Sequence, residues 1–409
     1  MYQLTLAGPR IDYPQIKKIN YKRIEAIDLL RGIVIVIMAI DHVRDYFHQA
    51  AFLYSPEDLS HTNPVLFFTR WITHYCAPVF VFLAGTAAYL YGSKRTRKEL
   101  AIFLFTRGVW LVFAELFVLS LFRTFNPSFH FFNLQVIWST GICMIALSGM
   151  IYMNRTLMLL TGVLLIAAHN LLDSVHVAGD GIPSFLWALL HEAGYFSFGQ
   201  FTFHVHYPLI PWIGVMVIGY CFGSLYRLGY DAEKRKKTLL LTGCGAIVLS
   251  IILRGGNFYG DAAHWSSQKN ATFTILSFLN VTKYPPSLLY ILMTLGPALI
   301  FLAYSAKPLN KMTKRLVVFG RVPMFFYLVH LLLIHFFATI GAVLTGYKWS
   351  DMVLNTMVNR SPNLKGYGFN LTTVYLVWIS LVTLLYPLCK WFDAYKRSHQ
   401  SRYRWLSYL

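Results

Sequence analysis

Histidine is the residue type with the clearest chemical potential in this sequence. The chain contains 14 histidines, and most of them lie within or beside apolar stretches. His42 follows Asp41 near the end of the first such stretch, His74 lies in the second and His330 in the ninth. An imidazole exchanges protons near neutral pH, and ionisable groups in apolar segments carry a free-energy cost. These residues are therefore candidates for acid–base or nucleophilic chemistry.

Helical spacing limits how the candidates can pair. Asp41 and His42 are adjacent, so they do not face each other on a helix. Asp41 can pair with Arg44 at turn spacing or with a residue of another helix, and His42 can meet Asp45. Tyr327 and His330 are three residues apart and share one face.

Further polar residues are predicted to lie at the same level of the protein as His42, near the outer ends of the apolar stretches or in the loops beside them. They are candidates for binding an acceptor molecule: Arg70, His74, Lys283, Tyr284 and His330. A purely structural interpretation stays open, since an interfacial histidine can reach towards water. Lys283 and Tyr284 could likewise anchor a helix start that has proline at its first turn. Arg31 and Arg321 could pair with Asp28 or Glu115 to hold helices together.

The elements that carry these residues are predicted to be transmembrane helices. The chain is 56% hydrophobic and 13% charged, whereas soluble domains carry about 25% charged residues. A helix needs roughly 20 apolar residues to span the hydrocarbon, and helices satisfy their own backbone there. The sequence predicts an all-α polytopic bundle of ten spans: 27–47, 65–91, 99–122, 132–152, 156–173, 207–226, 238–254, 286–305, 317–343 and 371–390. The apolar but glycine-broken segment 183–203 is predicted to be interfacial or re-entrant.

Lysine and arginine concentrate in alternate connections, in runs such as KRTRK, EKRKK and KRSHQSRYR. This positive-inside pattern predicts cytoplasmic N- and C-termini. It accounts for most of the net charge of +19 and favours contact with anionic membrane lipids over nucleic acid. The domain prediction is a cytoplasmic basic segment 1–26, a transmembrane domain 27–390 and a cytoplasmic basic tail 391–409.

Neither a metal nor a haem is expected. The cysteines lie in apolar stretches without CxxC spacing, so a disulfide framework or zinc site is not predicted. Two histidine pairs are thirteen residues apart, a spacing that two facing helices could use for haem: His61 with His74, and His191 with His204. Pro64 and two glycines interrupt these intervals, and His61 and His191 fall outside the spans.

Several segments resemble a family of transmembrane acyltransferases. The segments are RIEAIDLLRGIVIVIMAIDHVRDYF (23–47), DLSHTNPVLFFTRWITHYCAPVFVFLAGTAAYL (58–90), FNLQVIWSTGICMIAL (132–147), HYPLIPWIGVMVIGYCFG (206–223), LNVTKYPPSLLYILMTLGP (279–297) and FGRVPMFFYLVHLLLIHFF (319–337). They are similar to the bacterial family named for the heparan-alpha-glucosaminide N-acetyltransferase catalytic domain, and the resemblance covers nearly the whole chain.

This resemblance implies an activity. The animal enzyme of the family uses cytosolic acetyl-CoA to acetylate an amino sugar on the far side of the membrane. Its expected catalytic histidine, in the loop before the second core helix, corresponds to the region of His61. Late in the first core helix this chain has His42 where the animal enzyme has asparagine. The resemblance thus implies His42 or His61 as base or acyl-accepting nucleophile, with Asp41 balancing charge.

The implied donor is acetyl-CoA or another acyl-CoA, and the acceptor is a glycan or related molecule. Arg31, Arg107 and Arg321 lie on the predicted inner side, where arginine suits the CoA phosphates by charge and geometry. Family likeness also implies a bacterial inner membrane, and a homo-oligomer is compatible with it. The alternatives are a proton-coupled small-molecule transporter, since intramembrane charges also serve proton relays, and a non-catalytic membrane scaffold or sensor.

Overall fold

Long apolar helices make up most of the protein, as a computed structural model shows. The structure describes residues 24–305, 308–399, 402–403 and 406. Its α-helices, numbered along the chain, are α1 Glu25–Phe47, α2 Pro64–Trp71, α3 Cys76–Gly92, α4 Arg97–Phe113, α5 Ser120–Thr124, α6 Val136–Met150, α7 Arg155–Ala167, α8 Ile182–Leu190, α9 Leu209–Gly223, α10 Ala232–Gly256, α11 Ala271–Leu279, α12 Leu288–Tyr304, α13 Lys311–Arg321, α14 Pro323–Leu344 and α15 Leu371–His399.

A helix lies in each of the ten predicted spans, and the predicted mostly helical fold is confirmed. Within the described ranges, six continuous helical segments are long and apolar enough to cross a membrane: Pro64–Gly92, Arg97–Thr124, Leu209–Tyr226, Ala232–Gly256, Pro323–Leu344 and Leu371–His399. α6, α7 and α12 are shorter apolar helices. α1 has 23 residues, but its many charged side chains interrupt the apolar run. The count of ten crossings and the inward termini stay predictions.

The apolar helices expose large hydrophobic side chains on their outer faces. α10 alone exposes a row of them: Leu241, Val248, Leu249, Ile251 and Ile252. Soluble proteins rarely expose contiguous apolar surface of this extent, whereas lipid chains cover it without cost. The protein is therefore a membrane protein.

The interior helices approach closely at glycines. A Cβ atom on Gly85 of α3 would overlap the carbonyl oxygen of Met216 in α9, and one on Gly219 would overlap that of Phe82. Gly32 of α1 and Gly320 of α13 are related in the same way. Three further pairs lie between other helices: Gly108 and Gly141, Gly162 and Gly214, Gly243 and Gly296. Small residues are how membrane helices gain van der Waals contact, because lipid offers no hydrophobic drive for their association.

A small sheet, which the all-α prediction did not include, forms part of the connections. Strands β1 Phe131–Leu134, β2 Gly194–Phe198 and β3 Phe201–Val205 are arranged in the order β1–β3–β2. β1 runs parallel to β3, and β2 pairs antiparallel with it after a turn in which Gly199 has a φ of 60°. The predicted interfacial segment 183–203 thus contains most of a short helix and strand residues. Aromatic residues in β2 and β3 favour the extended conformation.

The two predicted basic terminal segments fall partly outside the described residues. Residues 1–23 of the N-terminal segment lie outside them, as do 400–401, 404–405 and 407–409 of the tail. α15 continues through Pro387 as far as His399, so the described start of the tail is helical.

Replacing Gly85 with valine should destabilise the protein, because the added side chain would have to separate α3 from α9. Overpacking of this kind typically costs about 1–3 kcal/mol. Gly245→Val in α10 is the matched control, since a Cβ at that glycine meets no atom within 4 Å. Thermal unfolding in detergent should show a clearly lower Tm for Gly85→Val than for Gly245→Val. Equal Tm values would contradict the close contact.

Candidate functional site

A large cavity opens at one end of the helical bundle. It has a volume of about 770 Å³, within the usual range for ligand sites. Its walls come from the end of α1, residues 51–57, the α2–α3 segment and the loops that precede α9 and α12. Among its lining residues are Asp41, His42, Arg44, Asp45, Glu57, Arg70, His206, Tyr207, Lys283, Tyr284, Tyr327 and Arg360.

His42 lines this cavity, and its ring contacts His330, which does not line the cavity. Nδ1 of His42 lies 2.7 Å from Nε2 of His330, and the two rings are stacked with centroids 5.0 Å apart. Nδ1 of His330 lies 2.9 Å from the carbonyl oxygen of Phe326. Tyr327 packs with its ring edgewise against both imidazoles. His42 is therefore a histidine of fixed orientation at a cavity wall.

Beside His42, Asp41 is shared by two arginines. The Arg44 guanidinium lies 2.9 Å from it within α1, and Arg70 donates a hydrogen bond to it from α2. Both pairings left open by the sequence thus occur. Arg44 also binds Asp45 at 2.6 Å, so the contact of Asp45 is with Arg44 and not with His42.

Glu57, in the connection between α1 and α2, extends the same ion-pair network. Its carboxylate accepts a hydrogen bond of 2.7 Å from Nε of Arg70 and lies 3.4 Å from Nε2 of His74. Burial raises the pKa of Glu57, but the Arg70 charge and hydrogen bonds from His74 and Ser55 outweigh it and hold that pKa well below its usual value. The carboxylate is therefore ionised at neutral pH and links Arg70 to His74.

His61 lies outside the residues that line the cavity. Its side chain is 63% exposed and its Nδ1 lies 2.7 Å from Asp58, while its ring stacks on Tyr54. Hydrogen bonds from Ser60 and His61 lower the pKa of Asp58 to about 2. The structure thus brings His42, Asp41, Arg70, Lys283 and Tyr284 to one cavity and places His61 on a surface loop.

The opposite wall of the cavity carries Lys283, Tyr284 and His206. The Lys283 ammonium lies 5.2 Å from the centre of the Tyr284 ring, and Lys283 is only 8% exposed. The His206 ring packs edgewise against Tyr284 with centroids 3.9 Å apart. Burial, reinforced by the neighbouring His204 and the charges of Lys283 and Arg70, lowers the pKa of His206 well below its usual value. This wall thus presents a neutral imidazole and a cation together.

With the site geometry established, the sequence can be compared with known families. The sequence model of the family described as "Heparan-alpha-glucosaminide N-acetyltransferase, catalytic" matches residues 23–254, more than half of the chain. The chain belongs to this family. No curated protein matches it. The matched region of this acetyltransferase family member contains His42, His61 and Arg70, and it ends before the segments that carry Lys283 and His330.

The loop that presents Lys283 is organised by a buried carboxylate that sequence reasoning missed. Asp261 accepts hydrogen bonds from the backbone N–H of Ala263 and of Thr282, at 2.9 and 2.8 Å. It accepts two more from the hydroxyls of Thr282 and Ser287. Four donors converge on one carboxylate, which fixes both sides of Lys283. In the sequence Asp261 is one polar residue in a polar connection, and only its position after Gly260 hints at a tight turn.

Arg254 fixes the same region from the end of α10. Its guanidinium donates to the carbonyl oxygens of Phe278, Ala263, Ser277 and Asn280 at 2.6–3.0 Å. In the sequence this arginine at the end of an apolar span looks like an interfacial residue. Its buried role depends on carbonyl groups about 9 to 26 residues away, which no local pattern reveals.

The three predicted inner arginines do not lie at the cavity. Arg31 is 3.4 Å from Asp28 and donates to the carbonyl oxygen of Gly320 at 3.4 Å. Arg321 is 3.9 Å from Asp28 and 3.6 Å from Asp393. These contacts join α1, α13 and α15. Arg107 lies apart from them on α4, with its guanidinium 5.9 Å from the Phe103 ring centre.

Two other predicted residues are buried beside the cavity. His74 is 1% exposed, its backbone carbonyl accepts a hydrogen bond of 2.8 Å from the Tyr290 hydroxyl, and its side chain faces Glu57. His330 is fully buried and contacts His42 without lining the cavity. Within the described parts of the chain, no group of three or more His, Cys, Asp or Glu residues is arranged to hold a metal ion.

Asp261→Asn should loosen the loop that presents Lys283, because an amide has one acceptor oxygen and would direct N–H groups at donors. A buried donor left unsatisfied costs about 1–3 kcal/mol. Hydrogen–deuterium exchange of residues 261–287 should rise at least tenfold in this variant. The matched control is Asp180→Asn at an exposed position. Unchanged exchange in Asp261→Asn would show that the carboxylate does not order the loop.

Proposed function

We propose that this protein is a transmembrane acyltransferase that moves an acetyl or other short acyl group from cytosolic acyl-CoA to an extracytoplasmic glycan or amino-sugar acceptor. The observation that carries the proposal is His42 at the wall of a polar cavity inside a membrane protein of an acetyltransferase family. The proposal includes ten spans, cytoplasmic termini and a bacterial inner membrane, which place this cavity on the extracytoplasmic side.

In the proposed reaction an amine or hydroxyl of the acceptor attacks the thioester carbonyl. The new bond joins the acyl carbon to nitrogen or oxygen, the carbon–sulfur bond breaks, and CoA leaves with the electron pair. His42 takes the acceptor's proton, which finally protonates the thiolate to give free CoA. General-base help of this kind is worth about 10²–10⁴ in rate. In a two-step variant His42 itself accepts the acyl group first.

The other cavity residues would bind the acceptor and set the electrostatics of transfer. Asp41 offsets part of the positive charge of the two arginines beside it, and Asp45 and Glu57, which pair with the same arginines, offset the rest. Lys283, Tyr284 and Arg70 would contact the acceptor, with His74 supporting Arg70 through Glu57. His330 contacts His42 instead of an acceptor in this arrangement.

The donor phosphates are proposed to meet Arg31, Arg107 and Arg321. CoA would compete with Asp28 and Asp393 for the guanidinium groups of Arg31 and Arg321, which already pair with these carboxylates. Phosphate offers arginine two-point, charge-assisted hydrogen bonds. A proton-coupled transporter is not favoured by the family membership.

His42→Ala should reduce acyl transfer by about 10²–10⁴-fold, because it removes the proposed base. The purified protein would be incubated in detergent with radiolabelled acetyl-CoA and a panel of amino sugars and glycans, and free CoA and labelled product measured. His61→Ala tests the other histidine, and His176→Ala, whose side chain is 72% exposed, is the surface control. We expect both of these variants to keep activity.

Label retained on the wild-type protein, and lost in His42→Ala, would indicate the two-step variant. Loss of activity in His61→Ala alone would transfer the catalytic role to the surface loop. If acetyl-CoA neither binds the protein nor releases CoA with any acceptor, the donor assignment is wrong. Proton-gradient-driven flux without CoA consumption would then replace it with transport.

A further inference from the structure

We propose that His330 is a positioning residue that holds His42 in one tautomer, with the proton on Nδ1 and the lone pair on Nε2 available to the cavity. The inference rests on the proposed function for its catalytic meaning, but it concerns an arrangement of protons that can be measured independently of activity.

The direction of the two hydrogen bonds follows from the last group in the series, the backbone carbonyl of Phe326. A backbone carbonyl oxygen only accepts, so the Phe326 oxygen at 2.9 Å requires a proton on Nδ1 of His330. A neutral imidazole has one N–H, which leaves Nε2 of His330 as an acceptor. That nitrogen lies 2.7 Å from Nδ1 of His42, which must therefore donate. The partner of one ring nitrogen thus sets the state of the other.

A doubly protonated His330 would reverse this order, but its surroundings oppose a positive charge. His330 is fully buried and stacks on Phe326. Arg123 of a neighbouring element, which is paired with Glu115, donates to the Tyr327 hydroxyl at 3.1 Å, and Tyr327 contacts both imidazoles. On the cavity side, Asp41 is already shared by Arg44 and Arg70, and Lys283 adds a further cation.

The same contacts argue against a proton-conducting role for the pair. A proton relay needs a further acceptor that can take up a proton, whereas this chain ends at the amide oxygen of Phe326, which does not become protonated at neutral pH. His330 therefore receives a hydrogen bond and orients its partner. In a hydrolase triad a carboxylate has this place next to the catalytic histidine; here a neutral imidazole has it, and the carboxylate of Asp41 binds arginines instead.

This arrangement matters for transfer because only one nitrogen of His42 can act on a substrate. With Nδ1 engaged by His330, Nε2 is the nitrogen that can accept a proton or an acyl group. Without His330, the proton can move to Nε2 and block the base. The carboxylate partner of a catalytic histidine has a comparable effect, since a wrong tautomer there lowers kcat by about 10⁴.

The first test is spectroscopic and needs no substrate. Protein labelled with ¹⁵N-histidine would be reconstituted in lipid and studied by solid-state NMR, with His42→Ala identifying the His42 signals. We expect a protonated Nδ1 and a bare Nε2 on His42. His330→Phe, which keeps a ring but removes the acceptor, should shift the proton towards Nε2, and His335→Gln on the same helix should leave it in place. A protonated Nε2 on His42 in the wild type would overturn the inference.

The second test measures kinetics in the same variants. His330→Phe should lower kcat for acyl transfer by about 10²-fold or more with little change in KM, because His330 does not line the cavity. His330→Gln, whose side-chain oxygen can accept from Nδ1 of His42, should recover at least tenfold of the loss if Tm shows that it is folded. Equal loss in both folded variants would indicate a structural role only.

The two tests separate the two proposals. The expected His42 tautomer in a protein that turns over no acyl-CoA would refute the proposed function and leave the positioning role of His330 standing. An active protein whose His42 carries its proton on Nε2 would refute the positioning role alone.

Discussion

The arrangement of this protein depends on how buried charges are compensated at the end of α1. Asp41 lies between Arg44 and Arg70. Arg70 also pairs with Glu57, which in turn contacts His74. Removing one partner of a buried ion pair costs about 3–5 kcal/mol, because the other charge is left uncompensated. These ion pairs therefore hold α1, the α1–α2 connection and the α2–α3 segment in one relative position. They fix the place of His42, and the contact with His330 sets the orientation of its ring.

Close packing between helices also holds α1 and α3 in place. Gly32 and Gly320 bring α1 against α13, and Gly85 and Gly219 bring α3 against α9. α1 contacts α13, α14 and α15, so the helix that carries His42 packs against α14, the helix that carries its partner His330. The close glycine contacts and the ion pairs of Asp41 act together. Neither set of contacts alone would fix both the distance of α1 from its neighbours and its rotation.

Local patterns in the sequence predicted what depends on local spacing. Apolar stretches predicted the helices, and the three-residue interval between Asp41 and Arg44 predicted an ion pair that the structure contains. Contacts between distant segments were not predictable in this way. His42 and His330 are 288 residues apart, and in the sequence His330 looks like another acceptor-side histidine. Asp261 and Arg254 gain their roles from backbone groups that only the folded connection brings near. The short strands were missed because their segments are apolar but too short to show a period.

The hydrogen bond between His42 and His330 also has a meaning for biosynthesis. α1 is synthesised before α14, and about 275 residues separate the end of one from the start of the other. Until α14 is in place, the nascent chain has His42 without its partner His330, even though the segment that carries Lys283 has already been made. A chain that ends before α14 therefore contains the whole matched region, residues 23–254, but not His330. The ring orientation that the His42–His330 contact sets is therefore completed only when α14 has packed against α1.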